Sequence, residues 1–348
     1  MKEIQNRKSG TKAAALLKKG MIVLVLIALV IISGIVSPTF LKPGNIVNVL
    51  RQVSVVAILA CGEVMLIICG YIDLSCGSIC ALAGCVGCSV SVATGNVFLG
   101  VLTAVLVGAV SGLLSGVMVA LFNVPAFIAT LAMMTIDTGL VLLFTGGFSI
   151  FNLGDFTIIG QGKLAGIPIP VLIMLAVVGL SWILLERTKF GRSLFAIGGN
   201  RKAAVASGIN TRRVTIKVFL FAGAMAGLAG AVLAARLNSG MPTAGEGYEM
   251  DAISAAVVGG TSFSGGIGSI FGGLIGALII GVLNNVMNLI GVGAYYQKII
   301  RGIIIAVAVI IDITSKSGFW SGGHWRRLGR RTQTSGAAAQ GTGVPPAR

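Results

Sequence analysis

Hydropathy along this chain is organised in long blocks rather than in alternation. Continuous apolar runs cover 21–37, 53–69, 77–94, 97–122, 126–146, 169–185, 214–235, 269–290 and 298–314. Each approaches the roughly 20 residues that a helix needs to cross a hydrocarbon core. A transmembrane barrel would show alternating segments of about ten residues. The breaks carry helix-stopping chemistry: Ser37-Pro38, Gly95-Asn96, Asn123-Val124-Pro125 and Gly240-Met241-Pro242. The pattern predicts an all-α polytopic membrane protein. The first run follows basic residues as a signal peptide would, but it lacks a small-x-small cleavage site and further spans follow. An uncleaved first helix is expected.

Composition agrees, since 55% of the 348 residues are hydrophobic and only 10% are charged, too few charges for a soluble fold of this size. The net charge of +16 raises nucleic acid as a partner, and its placement argues against one. Lysines and arginines collect in the N-terminal tail (Lys2, Arg7, Lys8, Lys12, Lys18, Lys19), in a polar island at 186–213, and after Asp312. No basic surface interleaved with aromatics exists elsewhere. This is the pattern in which short basic loops remain cytoplasmic, so both termini and the island are expected on the cytoplasmic side.

Counting spans tests that placement. Six runs separate the basic N-terminus from the island, an even number, but only three clear runs follow it. Parity requires one more span, and the candidate is Met250 to Val258, too short to cross a bilayer as a straight helix. A short or broken span buried by its neighbours is expected there, giving about ten transmembrane helices. The domain reading is a cytoplasmic basic tail at 1–20, a transmembrane domain at 21–314 with its cytoplasmic loop at 186–213, and a basic, disordered cytoplasmic tail at 315–348, held against an anionic inner leaflet.

Small residues recur four apart at Gly108, Gly112 and Gly116, at Gly223 and Gly227, and at Gly272 and Gly276. Such strips let membrane helices approach closely. All six cysteines fall between Cys61 and Cys88, and Cys85-Val-Gly-Cys88 has metal-like spacing. The chain's one histidine, His324, lies far away, so the cysteines read as small buried apolar residues and no metal site is expected. Ile72-Asp73-Leu74-Ser75 and Met250-Asp251-Ala252-Ile253-Ser254 each open a small-residue helix, followed by a glycine-rich span and an asparagine-containing break. The echo fits either an inverted repeat or chance likeness.

Four carboxylates, Glu63, Asp73, Asp137 and Asp251, stand within or beside apolar runs. Charge at the bilayer centre costs at least about 2.5–3.5 kcal/mol, so each should face protein or a wet cavity. Asp73 and Asp251 are placed to cap the helices that follow them, whereas Glu63 and Asp137 lie in mid-run. No Ser/His/Asp or metal constellation appears, so no catalytic residue is expected. No G-x-x-x-x-G-K-[ST] occurs, so ATP hydrolysis would have to be done by another chain.

Longer motifs carry a likeness. Residues 234–253, Ala-Ala-Arg-Leu-Asn-Ser-Gly-Met-Pro-Thr-Ala-Gly-Glu-Gly-Tyr-Glu-Met-Asp-Ala-Ile, and 257–269, Val-Val-Gly-Gly-Thr-Ser-Phe-Ser-Gly-Gly-Ile-Gly-Ser, resemble the permease subunits of bacterial ABC sugar importers. So do 274–292, Tyr295-Tyr-Gln, Gly70-Tyr-Ile-Asp-Leu-Ser-Cys-Gly-Ser and Gly198-Gly-Asn-Arg-Lys-Ala-Ala-Val-Ala-Ser-Gly-Ile-Asn. The likeness covers 21–314 and lies within the branched-chain amino acid and sugar permease superfamily. It implies a plasma-membrane homodimer, or a pair of related permeases, on two cytosolic ATPase subunits that bind ATP and magnesium. A periplasmic or lipid-anchored binding protein would deliver a monosaccharide, ribose or a related pentose. This chain itself would hold no cofactor. At Asp137-Thr138 the family often has a basic residue, and at Glu63 it is usually uncharged.

The resemblance gives the island a role as the segment that couples to the ATPase, through Gly198, Gly199, Asn200, Ala203, Ala204, Ser207, Gly208 and Ile209. A short helix there, with small Ala203 and Ala204 for close approach, would be bounded by Gly199 and Gly208. The sugar pathway is expected past Asp73, Ser75, Asp251 and Ser254, with Asn284 and Asn288 adding polar groups from one helix face. Asn285 points about 100° away and is free to bond a neighbouring helix. All three asparagines could instead serve only as glue between helices. Lys42, Arg51 and Arg236 fall outward by the span count and would meet an acidic rim of the binding protein; Arg51 could equally anchor a helix end in head groups. Another monosaccharide, a signalling furanose or a nucleoside remains open as substrate. A passive channel is a different class, distinguished by flux without an ATPase, and a membrane enzyme is a third.

Overall fold

A computed structural model describes residues 20–317 of the chain. The tails at 1–19 and 318–348, with the basic clusters and His324 assigned to them, lie outside the described residues. By compactness the chain divides into a unit at 1–305 and a second at 306–348, whose described part is the end of the last helix.

The order is α1 (Gly20–Val36), α2 (Pro43–Ile68), α3 (Cys76–Thr94), α4 (Val97–Ala120) and α5 (Ala126–Thr145). A connecting region follows, with β1 (Ile150–Phe151), a 3-10 turn at Gly154–Thr157, α6 (Ile158–Gln161) and the hairpin β2 (Lys163–Leu164) and β3 (Ile167–Pro168). Then come α7 (Ile169–Trp182), α8 (Lys189–Gly199), α9 (Arg201–Ala206), α10 (Thr211–Leu237), β4 (Ser239–Gly240), α11 (Tyr248–Val258), α12 (Ile270–Leu289) and α13 (Ala294–Ser317). Eight helical segments are long and apolar enough to span a membrane, α7 counting with the π-helical continuation that carries it to Arg187. With the shorter α1 and the 11-residue α11, the all-α membrane architecture of about ten segments is as expected.

The breaks work as their residues dictate. Gly95 ends α3 in the left-handed conformation, Asn96 caps α4 by accepting from the Leu99 amide, and Pro125 precedes α5. One boundary differs: α2 begins at Pro43, ten residues before the apolar run at 53. Asn45, Asn48, Arg51 and Gln52 dilute the hydropathy of its opening turns, yet protein accepts them. Asn45 exchanges amide hydrogen bonds with Asn285 of α12, at 2.9 and 3.0 Å. The 100° offset of Asn285 from Asn284 therefore serves helix packing.

α10 packs on α3 and α4, and α2 packs in the same way on α11 and α12. These two sets of contacts bring the α2–α4 helices and the α10–α12 helices into one bundle. The contact of α4 with α10 is made by glycines. A Cβ on Gly108 would collide with the Gly223 carbonyl and the Gly227 backbone, and one on Gly112 with the Phe219 carbonyl and Gly223. Gly276 approaches the Ala255 carbonyl of α11 in the same way. All six cysteines are free and buried in α2, α3 and the turn between them.

Candidate functional site

The short α11 determines the site. Its N-cap, Gly247, is left-handed, and Asp251 to Val257 are buried. Asp251 is the fourth residue of the helix, so it does not cap α11, contrary to expectation. At 5% exposure it needs a partner inside protein. Arg301 Nε lies 3.3 Å from its Oδ1, an ion pair without hydrogen-bond alignment, and Asn284 Nδ2 donates to its Oδ2 at 3.1 Å. Asp251 and Asn284, both expected on the pathway, are thus joined, and the cation that completes them was not singled out from the sequence.

In front of this triad lies a cavity of 590 Å³. Ser78 and Ala81 of α3, Met134 and Thr138 of α5, Thr243 and Glu249 around the start of α11, and Lys298 and Arg301 of α13 are among its walls. The close approach of α3 to α11 rests on Gly77, where a Cβ would strike the Glu249 carboxylate and the Gly245 carbonyl. The cavity therefore presents two cations, acidic Glu246 and Glu249, and hydroxyls on an apolar frame. That is a lining that can exchange hydrogen bonds with a polyhydroxylated solute.

None of the six residues expected on the pathway lines this cavity. Asp73 Oδ1 accepts from the Ser75 amide at 2.7 Å and from its hydroxyl, which locks the α2–α3 break into a local turn and caps no helix. Ser254 donates to the Met250 carbonyl of its own helix. Asn288 is exposed and accepts from Gln297 Nε2 at 2.8 Å, beside the turn into α13. A helix start marks where the backbone bends and not which side chains face the space. The two carboxylates in mid-run are buried. Asp137 accepts from the Ser111 hydroxyl at 2.8 Å, and neither oxygen of Glu63 finds a hydrogen-bond donor among the described residues.

At the island, Thr188 caps α8 and Asn200 caps α9, its Oδ1 accepting from the Ala203 amide at 3.0 Å. Gly208, at φ +79, ends α9 as expected, with the Ile209 amide reaching back to the Ala204 carbonyl at 3.1 Å. Ala203 and Ser207 are exposed, but Ala204 is 4% exposed and packs into its own chain, so it offers no approach to a partner. Gly199 and Gly198 also differ. A Cβ on Gly199 would meet nothing, whereas one on Gly198 would collide with the Ile68 carbonyl and the Gly266 amide.

At the opposite ends of α2 and α10, Arg51 donates to the Gln161 carbonyl at 2.5 Å, and Gln161 Nε2 donates to the Arg236 carbonyl at 3.1 Å. The connecting helix α6 thus ties Arg51 to Arg236, a link with no sequence signal beyond Gly160, which rests on the Ala235–Arg236 backbone. Lys42, exposed before α2, stands apart, since nine residues of helix separate it from Arg51 by about 14 Å.

Residues 45–309 match the family model described as branched-chain amino acid transport system / permease component. The chain is 45% identical over 290 residues to the ribose import permease protein RbsC of Bacillus subtilis, covering 82% of this chain and 90% of that one. It is 44% identical over 315 residues to the protein of the same name from Escherichia coli K12, covering 89% and 97%. Against the D-allose transport system permease protein AlsC of Escherichia coli K12 the figure is 39% over 291 residues, covering 83% and 89%. No solved structure matches the chain.

Proposed function

Because the chain belongs to the permease component family of branched-chain amino acid transport systems, we propose that it is the membrane subunit of an ATP-driven, binding-protein-dependent importer of ribose or a related pentose. The observation that carries the substrate is the order of likeness, with ribose permeases above the allose permease. The partners are cytosolic ATPase subunits, which hold ATP and magnesium, a sugar-binding protein outside, and a second permease. Lining the route with hydroxyls and with an arginine already paired to Asp251 suits a conduit, since each hydrogen bond contributes about 0.5–1.5 kcal/mol net and tight retention belongs to the delivering protein. The test is uptake of labelled ribose by proteoliposomes containing the permease, its ATPase and its binding protein. Flux without ATP would make the chain a channel, and uptake of allose in preference to ribose would overturn the pentose assignment.

Both termini and the island face the cytoplasm in this reading. Lys202 is exposed and the native cysteines are buried. In a variant lacking native cysteines, Lys202→Cys should react with an impermeant thiol reagent in inverted vesicles and not in intact cells. Labelling of intact cells would reverse the orientation.

The exposed face of α9 and the open side of Gly199 meet the ATPase. A Gly199→Trp variant should insert normally, since a Cβ added there meets nothing within 4 Å, and should lose uptake. Normal ATP-driven uptake would remove this contact from the coupling surface. Outside, the paired Arg51 and Arg236 meet an acidic rim of the binding protein. Arg236→Glu should raise the binding-protein concentration needed for half-maximal uptake, most at low salt where screening is weakest. An unchanged requirement at low salt would rule out docking through Arg236.

A further inference from the structure

One hydroxyl joins three elements beneath the coupling segment. Arg201, the first residue of α9, donates through Nη1 to the Tyr71 hydroxyl at 2.5 Å, and that oxygen lies 3.1 Å from Thr215 Oγ1 of α10. Either hydroxyl can donate in the Tyr71–Thr215 bond, while the Tyr71 oxygen accepts from Arg201. The Tyr71 ring is buried and tilted against Phe219 of α10, with centroids 5.6 Å apart. Two residues further on, Asp73 begins the turn that it holds with Ser75. Beside this contact is a second fastening made of backbone alone. The Gly266 amide donates to the Ile68 carbonyl at the end of α2 at 2.8 Å, and Gly198 of α8 rests on both. The break between α2 and α3, the turn before α12 and the α8–α9 segment therefore meet in one place, with α10 as the support.

The two fastenings differ in what they can transmit. The glycine contact fixes position, because any added atom at Gly198 is refused. The Arg201 bond is charge-assisted and directional, and it holds an otherwise exposed arginine side chain at a cost in rotamer freedom. The Arg201 side chain gives a force on the exposed face of α9 a direct route to buried Tyr71.

Resting on the reading of this chain as an ATP-driven permease, we infer that Arg201 and Tyr71 are positioning residues that carry displacement of the α8–α9 segment into the α2–α3 break. A motor biases a two-state membrane domain only through contacts that differ between its states, and this hydroxyl is one that a small shift of α9 makes or breaks. The inference concerns coupling and leaves both ATP hydrolysis and sugar delivery to the partners.

The experiment compares Tyr71→Phe, Arg201→Gln and Arg201→Lys with wild type in proteoliposomes containing the ATPase and binding protein, measuring ribose uptake and ATP hydrolysis together. Tyr71→Phe keeps the ring against Phe219 and removes only the hydroxyl. Tyr71→Phe and Arg201→Gln are expected to retain hydrolysis stimulated by the binding protein while uptake per ATP falls about fivefold or more. Arg201→Lys, which keeps a cationic donor, should recover most of the ratio. A static anchor would instead lower uptake and hydrolysis in parallel, and that result, or an unchanged ratio, overturns the inference. Should Tyr71→Phe fail to insert, Arg201→Gln at the exposed end decides alone. Absence of ATP-dependent uptake by the wild type overturns the permease reading and the inference with it.

Discussion

A Gly223→Leu variant is expected to lose the folded protein from the membrane. Gly223 faces Gly108 and Gly112 across α4 and α10, and a Cβ there would collide with the Gly108 carbonyl and lie 2.8 Å from the Gly112 Cα. These are backbone atoms, which cannot swing aside as a side-chain end can. Even Gly223→Ala should cost about 1–3 kcal/mol through overpacking. Leucine demands separation of the two helices along a contact that also carries Gly227. The comparison is Gly179→Leu in α7, where an added Cβ meets nothing. Detergent-solubilised Gly179→Leu should remain monodisperse with a melting temperature near wild type, and Gly223→Leu should aggregate. Equal thermal stability of the two variants would show that the glycine contact contributes little.

The second large effect falls on the buried triad. In an Asp251→Ala variant, Arg301 loses its anion and Asn284 loses the acceptor for its amide. Removing one partner of a buried pair leaves an uncompensated charge, costing about 3–5 kcal/mol. Arg301 retains some exposure, at 24% of its side chain, which places the cost near about 3 kcal/mol. Uptake should fall beyond what reduced stability explains, because Arg301 is also a wall of the cavity. Neutralising both partners, Asp251→Asn with Arg301→Gln, should restore much of the stability without restoring uptake. The triad would be demoted to structural glue if the double variant recovered transport as well, or if Asp251→Ala proved as stable as wild type.

The polar cluster beside the cavity is half legible in the sequence, and the cavity lining is not. Asp251 and Asn284 were marked because polar groups inside apolar runs are conspicuous. Arg301 carries no such signal, since a cation near the start of an apolar run fits a membrane-interface position equally well. Asn284 and Asn285 were separated correctly by helix geometry, since a 100° step sends neighbours to different partners, here Asp251 and Asn45. Ser254 bonds the Met250 carbonyl because a hydroxyl in a helix readily turns back to its own carbonyl row. In the island, the stop at Gly208 follows from residue type, but α9 is opened by the Asn200 cap rather than by Gly199, and the inward turn of Ala204 depends on how α9 lies on the rest of the chain.

What the sequence determined by itself was whatever depends on local chemistry and on the solvent. Apolar run length demanded spanning helices, proline and glycine set the breaks, and small-residue spacing named the faces that meet. The tertiary structure alone decided which distant groups became partners: Arg301 with Asp251, Arg51 with Arg236 through Gln161, and Arg201 with Tyr71. Those pairs are separated by 50 to 185 positions, so no periodicity connects them. Each partnership follows from a buried polar group taking whichever donor or acceptor the packed helices bring within reach, and the helix packing that does so is fixed by backbone contacts at glycines rather than by the polar residues themselves.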